Sequence, residues 1–134
     1  RDEHTKSGHI SNIRFSNITC DSENGVFLSG SSANKIENVV FEKVHVTMRA
    51  KSKWKKGLYD LRPGLNKGIE EIASPGFFMR DVDGVTIRDC SVKFAGDDMS
   101  AFGEALRTER CDNVIVDRFH GKAAQKNYQD QLMQ

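Results

Sequence analysis

One short phrase recurs four times along the chain and constrains its fold more than any other feature. The apolar residues of each copy follow the spacing 0, 3, 5 and 8, and two copies add a fifth apolar residue at 10. The copies are Ile10–Ile13–Phe15–Ile18, Ile36–Val39–Phe41–Val44–Val46, Val82–Val85–Ile87–Cys90–Val92 and Cys111–Val114–Val116–Phe119. A step of two is the period of a β-strand, whose successive side chains point to opposite faces. The phrase therefore predicts four strands, each of which directs the equivalent apolar side chains into a common core.

Each step of three needs a local change of chain direction before the next apolar side chain can point inward. Directly before the second apolar position of the four phrases stand Asn12, Asn38, Gly84 and Asn113. Asn and Gly tolerate left-handed backbone angles better than other residues. We therefore expect a turn at this position of every phrase.

A second short apolar segment recurs between the phrases, in residues 25–30, 57–61, 76–80 and 101–106. The phrases are separated by steps of 26, 46 and 29 residues, and we interpret the step of 46 as two repeats. Repeats of this length are typical of solenoids, in which each unit stacks on its neighbour. The sequence predicts an all-β fold, a right-handed parallel β-helix of about four to five coils that forms a partial solenoid. The hand follows the general rule for parallel crossovers.

The predicted organisation is residues 1–121 as β-helix coils, with a loop excursion at 50–64, and residues 122–134 as a C-terminal cap or tail. In the last segment Ala124, Tyr128 and Leu132 are spaced by four, as on a helix face. No cap is recognisable before the first phrase. Because open strand edges are normally covered, the expected partners are preceding coils of a longer parent chain or a self-stacking copy.

Composition excludes several classes of function. Twenty basic residues face 19 acidic ones, which argues against a nucleic-acid groove. No apolar run approaches the roughly 18 residues that a membrane span needs, so no membrane partner is expected. Cys20, Cys90 and Cys111 lack zinc spacing, and we predict buried free thiols, no metal site and no cofactor.

Three stretches carry a resemblance to a known family. GHISNIRFSNIT (8–19), SKWKKGLYDLRPG (52–64) and PGFFMRDVDGVTIRDC (75–90) resemble late coils of the polygalacturonase-like enzymes of glycoside hydrolase family 28, within the pectin-lyase-like β-helix superfamily. The resemblance covers most of residues 8–121. It implies the C-terminal part of an enzyme that degrades pectin or another acidic polysaccharide, contributing wall and substrate subsite. The parent is expected to be secreted or periplasmic, although this chain itself carries no address.

The family's chemistry requires paired carboxylates, one as acid and one to activate water. Its pattern is N-T-D, D-D, H-G and R-I-K. This chain has G-D-D at 96–98 and H-G at 120–121, but neither N-T-D nor R-I-K. Asp97, Asp98 and His120 are therefore weak catalytic candidates that stacking of one coil on the next would bring together. The main acids are expected upstream and the chain alone is expected to be inactive. The alternative is an exposed turn in which Asp97 caps backbone amides.

The excursion AKSKWKKGLYDLRPG (50–64) combines four lysines, an arginine, the single Trp and a Tyr. Cations pair with the carboxylates of uronic acids, and aromatic rings stack on the apolar faces of sugars. We predict Trp54, Lys55, Tyr59 and Arg62 as substrate-binding residues. The alternative is a solvated loop whose aromatic rings lie against the wall.

Two other functions compete with the hydrolase. The first is a non-catalytic polysaccharide-binding or assembly module with the same coils. The second is a β-helix lyase, which would need clustered carboxylates for calcium. The acids of this chain are scattered, so the lyase ranks last.

Overall fold

A computed structural model describes residues 8–61 and 68–134, and across these residues the chain is all-β, as predicted. Ten strands and no helix are found in this part of the chain, so no helix there could cross a bilayer. The strands are β1 (Ser11–Ser22), β2 (Val26–Ser29), β3 (Ile36–Arg49), β4 (Leu58–Asp60), β5 (Ile69–Glu71), β6 (Phe77–Arg80), β7 (Val82–Ala95), β8 (Leu106–Glu109), β9 (Asp112–His120) and β10 (Gln131–Met133).

The four phrases form one parallel sheet, here called the long-strand sheet, in the order β1-β3-β7-β9. Its register aligns equivalent phrase positions. Val39 pairs with Ile13 on one side and with Val85 on the other, and Val85 pairs with Val114. The alignment of apolar positions in the sequence is therefore confirmed as the strand register.

Left-handed residues recur inside these strands. Asn12, Asn38, Gly84 and Asn113 have φ values of 58°, 55°, 83° and 53°, which confirms the predicted backbone, although the strands continue through them instead of ending in turns. A second set was not predicted and lies directly before the fourth apolar position: Asn17, Lys43, Asp89 and Arg118. Lys and Arg are not usual signals of this conformation, whereas Asn and Asp are enriched in it. Both steps of three thus contain one left-handed residue.

The second parallel sheet, here called the short-strand sheet, has the order β10-β8-β6-β2. The predicted segments at 25–30 and 76–80 contain β2 and β6, which pair with each other. The segment at 101–106 only reaches β8 at Leu106. The helical spacing of Ala124, Tyr128 and Leu132 yields no helix, because residues 131–133 form β10 and pair with β8.

The segment 57–61 lies outside both parallel sheets, contrary to the prediction. Its strand β4 pairs antiparallel with β5, so the excursion extends beyond residue 64. We call residues 50–72 the insertion. Because β3 pairs directly with β7, the 46-residue step is one repeat that carries this insertion, and its interpretation as two repeats was wrong.

The core lies between the two parallel sheets. Phe41 and Ile87 of the long-strand sheet and Phe77 and Leu106 of the short-strand sheet belong to one buried cluster. The rings of Phe41 and Phe77 meet edge to face with centroids 5.4 Å apart. Burying each such side chain contributes about 1.5–3 kcal/mol.

The three thiols are free. Cys90 is buried as predicted, whereas Cys20 and Cys111 are only half-buried. Burial raises the pKa of the Cys90 and Cys111 thiols, so both sulfurs are protonated at neutral pH.

Candidate functional site

The insertion is anchored on the outer face of the short-strand sheet. Alternation along β6 sends Phe77 into the core and Phe78 to the outer face. The Tyr59 ring packs edge-on against Phe78 and Phe27, with centroids 5.5 Å and 4.7 Å away. Burial raises the pKa of Tyr59. Tyr59, predicted to contact a sugar, therefore acts as an aromatic anchor of the insertion in this structure.

A charge network beside these rings ties the insertion to the sheet. Arg80 is 5% exposed, and its terminal nitrogens donate to both carboxylate oxygens of Glu70 at 2.8 Å and 2.9 Å. Its Nε donates to Glu109 at 2.7 Å. The hydrogen bonds from Arg80 to Glu70 and Glu109 raise the pKa of the guanidinium. A buried cation held by two carboxylates fixes the position of β5 over β6.

The network continues along β8. Arg107 contacts Glu109 at 2.9 Å and Glu104 at 3.6 Å, and it lies 5.5 Å from the Phe78 ring centroid. Glu104 is 2% exposed, and its Oε2 finds no hydrogen-bond partner among the described residues. Sequence reasoning missed this network. The available signal was the alignment of FFMR (77–80) with LRTE (106–109), which pairs Arg80 with Glu109.

The basic end of the insertion has the opposite character. Trp54 is 73% exposed, and Lys53 Nζ lies 5.7 Å from its ring centroid. Lys55 is exposed and pairs with Glu71 at 2.8 Å. Two predicted substrate contacts, Trp54 and Lys55, thus lie at the surface. Arg62, the fourth predicted contact, lies outside the described residues.

Glu23 holds the base of this basic segment. Its carboxylate accepts hydrogen bonds from the backbone N–H groups of Lys51 and Ser52 and lies 3.4 Å from Lys56 Nζ. These bonds lower the pKa of Glu23 to about 2. The segment that presents Trp54 is therefore fixed to the loop between β1 and β2 by an ionised carboxylate.

A cleft of about 540 Å³ separates the insertion from the C-terminal segment. Lys55, Lys56 and Glu71 line one side, and Ser100 and Tyr128 line the other. The cleft joins a cationic segment to an aromatic side chain more than seventy positions away in the sequence. Its lining offers charge, hydrogen-bonding groups and one aromatic ring to a polar ligand.

A second cleft, of about 400 Å³, contains His120. Ser91, Lys93, Phe94 and Met99 contribute to its lining, whereas Asp97 and Asp98 are not among the described residues that line it. In the sheet His120 pairs with Ser91, because β9 follows β7 by 29 residues and not by the 22 that separate Asp98 from His120. The stacking of strands therefore sets Ser91, and not Asp98, opposite His120.

Asp97 and Asp98 lie in an exposed turn. Asp98 Oδ1 accepts hydrogen bonds from the N–H of Ser100 at 2.9 Å and from its hydroxyl at 2.6 Å. These bonds lower the pKa of Asp98, which keeps it ionised and unsuited to donate a proton as a general acid. The alternative of a capping turn fits the structure, with Asp98 and not Asp97 as the capping residue.

No group of three or more His, Cys, Asp or Glu side chains placed to hold a metal occurs in residues 8–61 and 68–134. Comparisons with protein-family models, with curated proteins and with solved structures found no match to this chain. Assignment of a function consequently rests on the residues themselves.

Proposed function

We propose that the two parallel sheets are walls of a right-handed parallel β-helix with four coils. Support for this solenoid comes from the constant register of the long-strand sheet, in which every strand pairs with the next phrase in the sequence. The short-strand sheet repeats the same order, so each repeat contributes one long and one short strand. Parallel strands that follow one another in sequence and enclose a shared interior are the arrangement that stacked coils produce, and the insertion lengthens one of their connections.

We further propose that these coils are the C-terminal part of a polygalacturonase-like glycoside hydrolase that acts on pectin or a similar acidic polysaccharide. The observation that carries this proposal is the exposed Trp54, which lies between Lys53 and Lys55 in the sequence; Lys53 lies near its ring, and Lys55 lines the cleft. A uronic acid offers both an apolar ring face and a carboxylate. An aromatic ring flanked by lysines is complementary to both features.

In this proposal the chain supplies wall and subsite, and the main catalytic acids belong to coils outside these residues. The bonds from Ser100 to Asp98 favour that division, since they hold the carboxylate in a turn. Tyr59 contributes indirectly by anchoring the insertion, and Trp54 and Lys55 contact the polymer. The 134-residue chain is expected to bind the polysaccharide without cleaving it.

The test is binding to polygalacturonate compared with a neutral polysaccharide of similar length, measured by affinity electrophoresis. Trp54→Ala is expected to weaken binding about 3- to 10-fold, because one ring–sugar contact is lost. Lys55→Ala should weaken binding less than Trp54→Ala does. Its effect should be larger at low salt, where charges are screened less. Leu58→Ala is the matched control for Trp54, since Leu58 is an exposed apolar residue of the same insertion. Equal binding by all three variants would refute the proposed subsite.

A non-catalytic binding or assembly module is the second candidate, and the same Trp54 surface would serve it. An assay for the release of reducing ends distinguishes the two functions. It is run on a longer protein, in which the 134-residue chain follows further β-helix coils of the same reading frame. Release indicates the hydrolase. Binding without release in that longer protein indicates the module.

A further inference from the structure

Both ends of the long-strand sheet present unpaired strand edges. Among the described residues no strand pairs with the outer edge of β1 or of β9. Of the seven exposed large apolar side chains among the described residues, four lie at these two ends, Ile10 beside β1 at 49%, Ile18 on β1 at 37%, Ile115 on β9 at 52% and Met133 on β10 at 48%, and the other three belong to the insertion. A long edge with exposed apolar residues is a template for another strand, and natural proteins normally cover or blunt it.

We propose that the β9 edge of one molecule pairs in parallel with the β1 edge of a second copy. The copies would stack head to tail in the register that the internal repeats already use. This interface is distinct from the polysaccharide surface at Trp54. It is the alternative to coils that precede residue 1 in a longer protein, because such coils would occupy the same β1 edge, so the proposal concerns the 134-residue chain by itself.

The apolar positions of the two edges match when the internal register is extended by one step. Within one molecule Ile13, Val39, Val85 and Val114 follow one another across the sheet, as do Phe15, Phe41, Ile87 and Val116. One further step sets Val114 beside Ile13 of the second copy and Val116 beside its Phe15. The core-facing apolar residues of β9 would thus be followed by those of β1 in the second copy, with the same spacing as inside one molecule.

A polar ladder gives the same register. Asn38 Nδ2 donates to Asn12 Oδ1 at 2.7 Å between β3 and β1. Both residues have positive φ, as does Asn113 at the equivalent position of β9. In the proposed stack Asn113 meets Asn12 of the second copy and repeats this side-chain hydrogen bond.

The charges on the two edges are complementary. Asp117 occupies in β9 the position that Glu42 occupies in β3, and Glu42 lies 3.9 Å from Arg14. In the extended register Asp117 lies opposite Ser16 of the second copy, and Arg14 of that copy lies two residues away on the same face, where it would pair with Asp117. Two residues beyond β9, Lys122 is 91% exposed and lies 3.6 Å from Asp130, and a continued register would set it opposite Asp21 of the copy. Exposed pairs are individually weak, so we expect them to set register and partner choice more than affinity.

Because the two edges are different surfaces, the contact is heterologous and does not close on itself. Assembly should therefore be open-ended. Sedimentation velocity and light scattering of the 134-residue chain, from dilute to concentrated solution, should show a mass that rises in multiples of one chain. A wild-type chain that stays single at every concentration would overturn the proposal, and the edges would then be covered by something other than a copy.

Charge reversal tests the register. R14E places an acid near Asp117, and D117R places two arginines near each other, so each variant alone should associate about two- to fivefold more weakly than the wild type. In a mixture of the two variants both kinds of interface become attractive again, and association should return to the wild-type level. Lys126→Glu, a charge reversal in the exposed C-terminal segment, should change nothing. Failure of the mixture to associate would contradict this register.

Asp117 also contacts Arg88 and Arg118 within the molecule, so D117R removes two internal ion pairs in addition to the proposed contact. Far-UV circular dichroism and the melting curve check this point. K122E and D21K form a second pair for the same mixing experiment, since both side chains are solvent-accessible. If neither pair of variants is rescued by mixing, the head-to-tail register is wrong.

Discussion

The stacked strands and the insertion are held together by different physics. In the long-strand sheet one apolar pattern occurs four times, and each strand pairs with its neighbour at equivalent positions of the pattern. The insertion occurs once and is attached through Tyr59 against Phe78 and through Glu70 on Arg80. A repeat can be extended or shortened without new chemistry, whereas the insertion depends on a few specific partners. The stacked strands thus form the repeated scaffold, and the insertion adds a surface that no other repeat of the described chain has.

The largest expected effect lies in the stacked part. Phe41→Ala should lower the free energy of unfolding by about 3–5 kcal/mol, because Phe41 is 2% exposed and contacts rings from neighbouring strands of both parallel sheets. Val40→Ala is the matched control, since Val40 is the next residue but points away from the core. Urea titration followed by circular dichroism measures both. Similar losses in the two variants would contradict the described core.

This difference explains what the sequence could reveal. The register of β1, β3, β7 and β9 could be predicted because apolar spacing reports directly which side chains face the core. The fate of segment 57–61 could not, because its Gly-Leu-Tyr pattern matches the short strands equally well. Only the pairing of β4 with β5 separates the two possibilities.

The candidate site was predicted in part for the same reason. Composition singled out the segment that contains Trp54 and Lys55 as a candidate substrate contact, and both side chains lie at the surface. It could not assign Tyr59 to packing, since that depends on Phe27 and Phe78 from two other strands. Likewise the motif letters could not reveal that strand pairing sets Ser91 opposite His120, because the spacing of the motif letters differs from the spacing of the strands.

An intermediate effect is expected where the insertion joins the sheet. Arg80→Met should cost about 2–3 kcal/mol, since it leaves Glu109 with Arg107 as a remaining partner but removes the anchor of Glu70. Hydrogen exchange should accelerate in β4 and β5 far more than in β3 and β7. Arg49→Met, which loses only an exposed pair with Asp21, should have little effect on either. Uniform acceleration through all strands would show that the insertion and the stack are one cooperative unit.

The smallest effect concerns the basic segment and depends on pH. The folded-state pKa of Glu23 is about 2, below its ordinary value of 4.5, because backbone N–H groups of Ser52 and Lys51 bind the ionised form. A depressed pKa stabilises the fold above the unfolded-state pKa, and this contribution disappears as the pH falls from about 4.5 towards 2.

Glu23→Gln should therefore lower the melting temperature at neutral pH and leave a smaller difference from the wild type near pH 2–3. Melting curves across this range, with Glu37→Gln as an exposed control, measure the effect. A difference between Glu23→Gln and wild type that stays constant with pH would exclude the ionised carboxylate as its cause.

The central claim is that β3 and β7 are direct neighbours and that the insertion leaves their register unbroken. It is tested most directly by disulfide formation in a chain whose three native cysteines are replaced by alanine. Val40 and Thr86 are register partners on the outer side of the core, and neighbouring parallel strands lie about 4.8 Å apart, within reach of a disulfide. V40C/T86C should oxidise readily and V40C/R88C, displaced by two residues, should not. Rapid oxidation of the displaced pair, or of neither pair, would contradict the account.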